Sequence, residues 1–152
     1  MAIEIPPAAR PPQSQAPWTV LPPVERRPVI PAGFAAGGIP AGIKASGRPD
    51  IAVVVPTTGR ASAAAVFTPN AFAAAPVRLS RAHLAGTAPD GDGRYGATAG
   101  IVSTSGCANA ATGPEGDADQ AAVARMLADA LGADDDAILC LSTGLIGTRL
   151  PL

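Results

Sequence analysis

Proline is the strongest constraint on this chain, because it crowds the first 32 residues and thins out afterwards. Pro6-Pro7, Pro11-Pro12 and Pro22-Pro23 sit in a stretch with little else that could pack. Each proline fixes its own φ and removes a backbone donor, so such a run favours an extended, solvated backbone. Residues 1–32 are therefore expected to form a disordered or loosely docked tail, with Trp18, Val20 and Leu21 as its one anchor. Order is expected from Gly33 onward, as one domain over residues 33–152.

Within that domain the apolar content is mostly alanine. Hydrophobic residues make up 47% of the chain but aromatics only 3%. Alanine buries little area, and burial stabilises by about 25 cal/mol per Å². A core of this kind predicts a fold that needs more chain or a partner to complete it. The net charge of −1 gives no basic footprint for nucleic acid or an anionic membrane surface. No apolar run approaches the length of a membrane span. The start, MAIEIPPAARPP, lacks a basic region followed by an apolar one, so no signal peptide is expected. Cys107 and Cys140 have no metal-ligand spacing and read as reduced thiols of a cytoplasmic protein.

The periodicity predicts mixed α and β structure. Ile51 to Val55, closed by Pro56, reads as a strand. Ala63 to Phe67 reads as a second, making a hairpin through the turn at Thr57 to Arg60. Pro76 to Ser80 is a candidate third strand and Ala99 to Ser103 a further one. Between them, Pro89-Asp90-Gly91-Asp92-Gly93 marks a loop. A helix is predicted from Asp117 to Leu131, with Val123, Met126, Leu127, Ala130 and Leu131 on one face. Asp117 and Asp119 would favour its positive end, and Gly132 would stop it. Ala137 to Leu141 then reads as a buried strand leading into Ser142-Thr143-Gly144.

Six blocks stand in order along residues 33–152. They are GFAAGG from Gly33, GIKASGRPDIA from Gly42, AAAVFTPN from Ala63, AAPVRLSRAHL from Ala74, SGCANAATG from Ser105 and STGLIGTRLP from Ser142. The series resembles the amino-terminal region of the glutamate/ornithine N-acetyltransferases of the cyclic arginine pathway. That resemblance implies an α+β fold with layered sheet and helices, incomplete in this chain. It implies a precursor that cuts itself before an internal threonine, giving α and β chains assembled as a heterotetramer of two each. The freed threonine takes acetyl from N2-acetylornithine and passes it to glutamate, and some members also accept acetyl-CoA. No cofactor or metal is implied.

The resemblance matches Thr143 and Gly144 to the family's oxyanion hole, one hydroxyl and one backbone N–H. A strand that breaks into glycine leaves N–H groups unpaired by the sheet, which suits that role without any family comparison. The self-cleavage threonine has no match among these residues, so no nucleophile is assigned and the chain alone is expected to be inactive. Lys44, the single lysine, is a weak candidate for a substrate carboxylate; the alternatives are a subunit contact or a solvated turn. His83 lacks a partner at useful spacing for a general base, Arg81 reads as a structural ion-pair donor, and Asn70 and Asn109 read as backbone-capping amides.

The chain departs from the family pattern NSGNANA, with Thr104 and Cys107 in place of two amides. A hydroxyl and a thiol offer fewer hydrogen bonds than two carboxamides, which points to altered substrate or efficiency. No histidine or helix N-terminus is evidently placed to activate Cys107, which is not a nucleophile candidate. Other readings are a relative of changed specificity (a secondary-metabolite acetyltransferase or a self-processing aminopeptidase) and a non-catalytic remnant.

Overall fold

The computed structural model describes residues 29–88 and 92–152. The expected tail and its Trp18 anchor lie outside these residues up to position 28, as does the 89–91 part of the predicted loop. Residues 29–32 are exposed. The ordered elements begin with β1 (Phe34–Ile39), β2 (Ile51–Pro56), β3 (Ala61–Ala64) and α1 (Ala75–Gly86). They continue with β4 (Tyr95–Thr98), β5 (Gly100–Cys107), α2 (Gly113–Leu131) and β6 (Ile138–Leu145), with a 3₁₀ turn at Asp135–Ala137.

Four strands form one sheet in the order β1-β2-β5-β6. The first two pairings are antiparallel, and β5 pairs with β6 in parallel from Gly100↔Ile138 to Cys107↔Leu145. Parallel neighbours need a crossover, and α2 supplies it, packing on one face of the sheet. Val102 and Thr104 of β5 are buried beneath it, together with Ile138 and Cys140 of β6. Ala99, Ala124, Ala128 and Ala137 fill much of the remaining core. Small side chains allow close approach of helix and sheet but bury little area each, as expected from composition. Val66, Phe72, Leu145 and Ile146 correspondingly remain exposed.

Four expectations are corrected. The predicted β2–β3 hairpin does not form, because both edges of β2 are taken by β1 and β5; β3 instead pairs with β4, Ala61↔Thr98 to Ala64↔Tyr95. Pro76 to Ser80 is helix, not strand: Pro76 occupies the first turn of α1, where a missing N–H breaks no hydrogen bond. Helix α2 begins at Gly113, so Glu115 is the acid in its first turn, while Asp117 and Asp119 pair with Arg78 and Arg149. Its buried face also differs. Gly116, Asp119, Gln120, Val123, Ala124 and Ala128 face inward, whereas Met126, Ala130 and Leu131 are exposed. The inward row is set by small residues that let the helix approach, and by polar ones with partners, rather than by the largest apolar side chains. Gly132 ends the helix in the left-handed region as predicted, at φ 62°.

Helix α1 covers the outer edge of β6. Ser80 Oγ accepts from the Cys140 N–H at 2.8 Å and donates to the Cys140 carbonyl at 2.9 Å. His83 Nδ1 lies 2.7 Å from the Ile138 carbonyl oxygen, so that ring nitrogen carries the proton. An exposed edge strand offers unpaired backbone groups, and these two side chains satisfy the first half of β6.

Candidate functional site

The predicted Thr143-Gly144 pair lies at the far end of β6, past the part that α1 covers. In register, Thr143 faces Ser105 and Gly144 faces Gly106 across the β5–β6 ladder. Residues of a strand alternate the edge to which their backbone groups point. Cys140 turns its N–H and carbonyl outward to Ser80, so the same alternation turns those of Ser142 and Gly144 outward as well. Among the described residues, no helix side chain hydrogen-bonds to them there, and both Thr143 and Gly144 are exposed.

Both facing glycines take positive φ, 118° at Gly106 and 134° at Gly144. The change in backbone hand shifts the buried face of β5: Gly100, Val102 and Thr104 point inward, then Cys107 does. A β-carbon on Gly106 would lie 2.9 Å from Ile43 Cγ2 and 3.1 Å from Lys44 Cγ. The stem of Lys44 therefore runs past the end of the ladder that holds Gly144. Its ammonium donates to the Pro49 carbonyl at 3.1 Å.

Asp50, which sequence reasoning did not single out, organises this corner. Its buried carboxylate accepts from the N–H of Ala41 at 2.6 Å and of Lys44 at 2.8 Å. Its own carbonyl accepts from the Ser105 N–H at 2.8 Å, opposite Thr143. The Lys44 N–H, with help from Ala41 and Ile43, holds the Asp50 carboxyl below its ordinary value against the opposing effect of burial. Carboxylates that accept backbone bonds behave this way.

Beneath β6 runs a buried polar thread. Thr104 Oγ1 donates to Ser142 Oγ at 2.8 Å, and Ser142 Oγ donates to Gln120 Oε1 at 3.0 Å. Asn109 Nδ2 reaches the same oxygen at 3.3 Å and the Gly116 carbonyl at 2.8 Å, while its Oδ1 accepts from Thr112 Oγ1 at 2.7 Å. Asn109 thus caps the loop into α2, as expected of it, at a left-handed φ of 46°. Gln120 Nε2 is buried with no hydrogen-bond partner among the described residues. An unpaired buried donor costs about 1–3 kcal/mol.

The remaining candidates are structural. Cys107 is buried, its thiol donating to the Thr148 carbonyl at 2.8 Å and its sulfur accepting from the Asn109 N–H at 3.3 Å. Burial pushes the Cys140 thiol up to about 11, against a weaker downward pull from Gln120. Both thiols are free. Arg81 donates to the Thr68 carbonyl at 2.9 Å and stands 5.4 Å from the centre of the Phe67 ring. Asn70 Oδ1 accepts from the Phe72 N–H at 2.9 Å. Among the described residues, no cluster of His, Cys, Asp and Glu could hold a metal, and no helix is long and apolar enough to cross a membrane. An open apolar groove of about 420 Å³ runs between α1 and β6, lined in part by Leu139, Leu141 and Ser142, and ends one residue short of Thr143.

The segment after the glycine pair is clasped back onto the domain. Gly147 N–H donates to the Ala110 carbonyl at 2.9 Å. Arg149 grips Asp119 through two nitrogens at 2.7 and 2.8 Å and Glu115 at 2.9 Å. Its hydrogen bonds hold the Asp119 carboxyl below its usual range.

The sequence and the fold have counterparts among known proteins. The profile of the ArgJ family matches residues 35–152. The arginine biosynthesis bifunctional protein ArgJ of Streptomyces coelicolor is 48% identical over 120 residues, covering 79% of this chain and 29% of that protein. The mitochondrial ArgJ of Penicillium rubens is 43% identical over 124 residues, covering 80% and 24% respectively. Ornithine acetyltransferase of Mycobacterium tuberculosis, solved in complex with ornithine, superposes with a TM-score of 0.70 at 43% identity, over 80% of this chain and 61% of that one. ArgJ of Bacillus halodurans superposes with a TM-score of 0.68 at 32% identity, over 79% and 58%. The chain spans less than a third of the length of the curated relatives it matches. With its mixed α/β sheet and the glycine pair at the end of β5 and β6, the chain belongs to the ArgJ family of arginine-biosynthesis acetyltransferases.

Proposed function

We propose that these residues supply the oxyanion-stabilising part of a site that moves acetyl from N2-acetylornithine to glutamate, giving ornithine and N-acetylglutamate. The nucleophile, a threonine hydroxyl, comes from outside the 152 residues. It attacks the acetyl carbonyl, and the carbonyl oxygen becomes negative. Thr143 donates its hydroxyl hydrogen and Gly144 its N–H to that oxygen. Ornithine leaves with a proton on its amine, and an acetyl-enzyme remains until the glutamate amine takes the acetyl. Splitting one hard transfer into two is the general merit of covalent catalysis.

The single observation that supports this reading is the position of Gly144, on the uncovered edge of β6 and backed by Gly106 across the ladder. A donor fixed in place before the reaction needs no reorganisation when charge develops. Relative lengths support a two-chain assembly. This chain covers 61% of the solved M. tuberculosis chain but 29% of the S. coelicolor protein, so the solved chain is about half as long. The assembly proposed is two α and two β chains from one precursor in the cytoplasm, with acetyl-CoA a second acetyl donor. Lys44 serves the site from behind, by packing on Gly106, and its ammonium is the group available to a substrate carboxylate.

The test is Thr143→Ala in the full-length enzyme that contains this segment. Turnover from N2-acetylornithine to glutamate is expected to fall about 100- to 1,000-fold, with KM nearly unchanged. Unaltered kcat removes Thr143 from the mechanism.

A further inference from the structure

We propose that Gln120 is a positioning residue for the Thr143-Gly144 donor pair, acting through its side-chain oxygen on Ser142 of β6. The proposal rests on the oxyanion reading above. Gln120 is 1% exposed, on the face of α2 that looks at β6. One atom, its Oε1, joins three segments: Ser142 of β6, Asn109 of the loop before α2, and the helix itself. Through the Ser142 hydroxyl the thread continues to Thr104 of β5, directly opposite in register. Ser142 is the residue before Thr143, so its side chain anchors β6 at the last position before the strand reaches the open site.

The other half of the carboxamide argues for the same role. Nε2 has no hydrogen-bond partner among the described residues and only the neighbouring Cys140 thiol, a weak acceptor, to face. An apolar side chain of equal length would avoid that unpaired donor while filling the same space. The bonds that tie β6 to the helix are therefore those of the oxygen. Thr104 offers only a hydroxyl, which donates to Ser142 and leaves the Ser142 hydrogen in need of an acceptor; Gln120 provides one from the helix side.

Amide hydrogen exchange on the full-length enzyme that contains this segment tests this without any substrate. In Gln120→Met, which keeps side-chain length, exchange at Thr143 and Leu145 is expected to quicken at least about tenfold while Leu139 holds its protection. Thr104→Asn placed in a Gln120→Ala background is expected to restore slow exchange. In the full-length enzyme, Gln120→Met is expected to lower kcat about tenfold with KM nearly unchanged, and the same double variant to recover it. Unchanged exchange at Thr143 overturns the proposal. So does equal quickening along all of β6, whole-chain unfolding included, and so does local loosening that Thr104→Asn fails to reverse. Because exchange is read without acetyl transfer, a null result for Thr143→Ala would end the oxyanion reading and leave the anchoring of β6 by Gln120 separately measurable.

Discussion

A β-carbon on Gly144 would sit 2.3 Å from the carbonyl carbon of Gly106 and 2.5 Å from its oxygen. Backbone atoms cannot swing aside as a flexible side chain can, and φ at Gly144 is 134°, where L-residues are strained. Gly144→Ala is therefore expected to destabilise the domain by about 2–4 kcal/mol. Urea unfolding measures it. A midpoint equal to that of the parent chain would mean the strands part without cost.

Ser80 meets both backbone groups of Cys140 with one hydroxyl. Ser80→Ala leaves a buried N–H and a buried carbonyl unpaired on the outer edge of β6, and a loss of about 1–3 kcal/mol is expected. Thermal unfolding should show it as a lower Tm. Ser80→Gly would lose the same bonds, so a serine-to-alanine Tm within error of the parent would show that water or a shift of α1 replaces the hydroxyl.

Asp119 is buried while its partner Arg149 is half exposed. Arg149 lowers the folded carboxyl pKa below 3.8. A depressed carboxyl contributes stability above its unfolded pKa and loses it as pH falls through the folded one. Asp50, lowered by the Lys44 N–H, acts in the same direction. Stability is thus expected to be flat near neutrality and to drop below about pH 4. Asp119→Asn should lower stability at pH 7 and flatten that acid limb. Tm against pH for both chains checks it, and parallel profiles would remove Asp119 as a source of acid sensitivity.

What could be read from the residues was whatever local pattern carries alone. The β-branched run at Ile51 to Val55 and the Gly132 stop are such patterns, and both appear in the fold. β1 went unread because Phe34–Ile39 is mostly alanine and glycine, and becomes a strand through its partner β2 rather than through propensity. The partner of β3 was not legible either, since strand pairing depends on which edges remain free. At the site, the Thr143-Gly144 pair was visible as a motif. Asp50 and Gln120 were not, because a buried polar side chain shows its value only once its partners are near, and those partners lie up to 22 positions away, as with Ser142 from Gln120.

The parallel pairing of β5 with β6 has a kinetic consequence. Gly106 and Gly144 meet only when a loop of more than thirty residues closes, and the entropy of closure must be met before the contact contributes. Helix formation takes about a microsecond, whereas non-local strand pairing is slow. Because α2 occupies half of that loop, its early formation shortens the distance β6 has to search. Thr143 and Gly144 are then among the last parts of the domain to assemble, and lesions in α2 far from Thr143 should appear first as slower acquisition of the far end of β6.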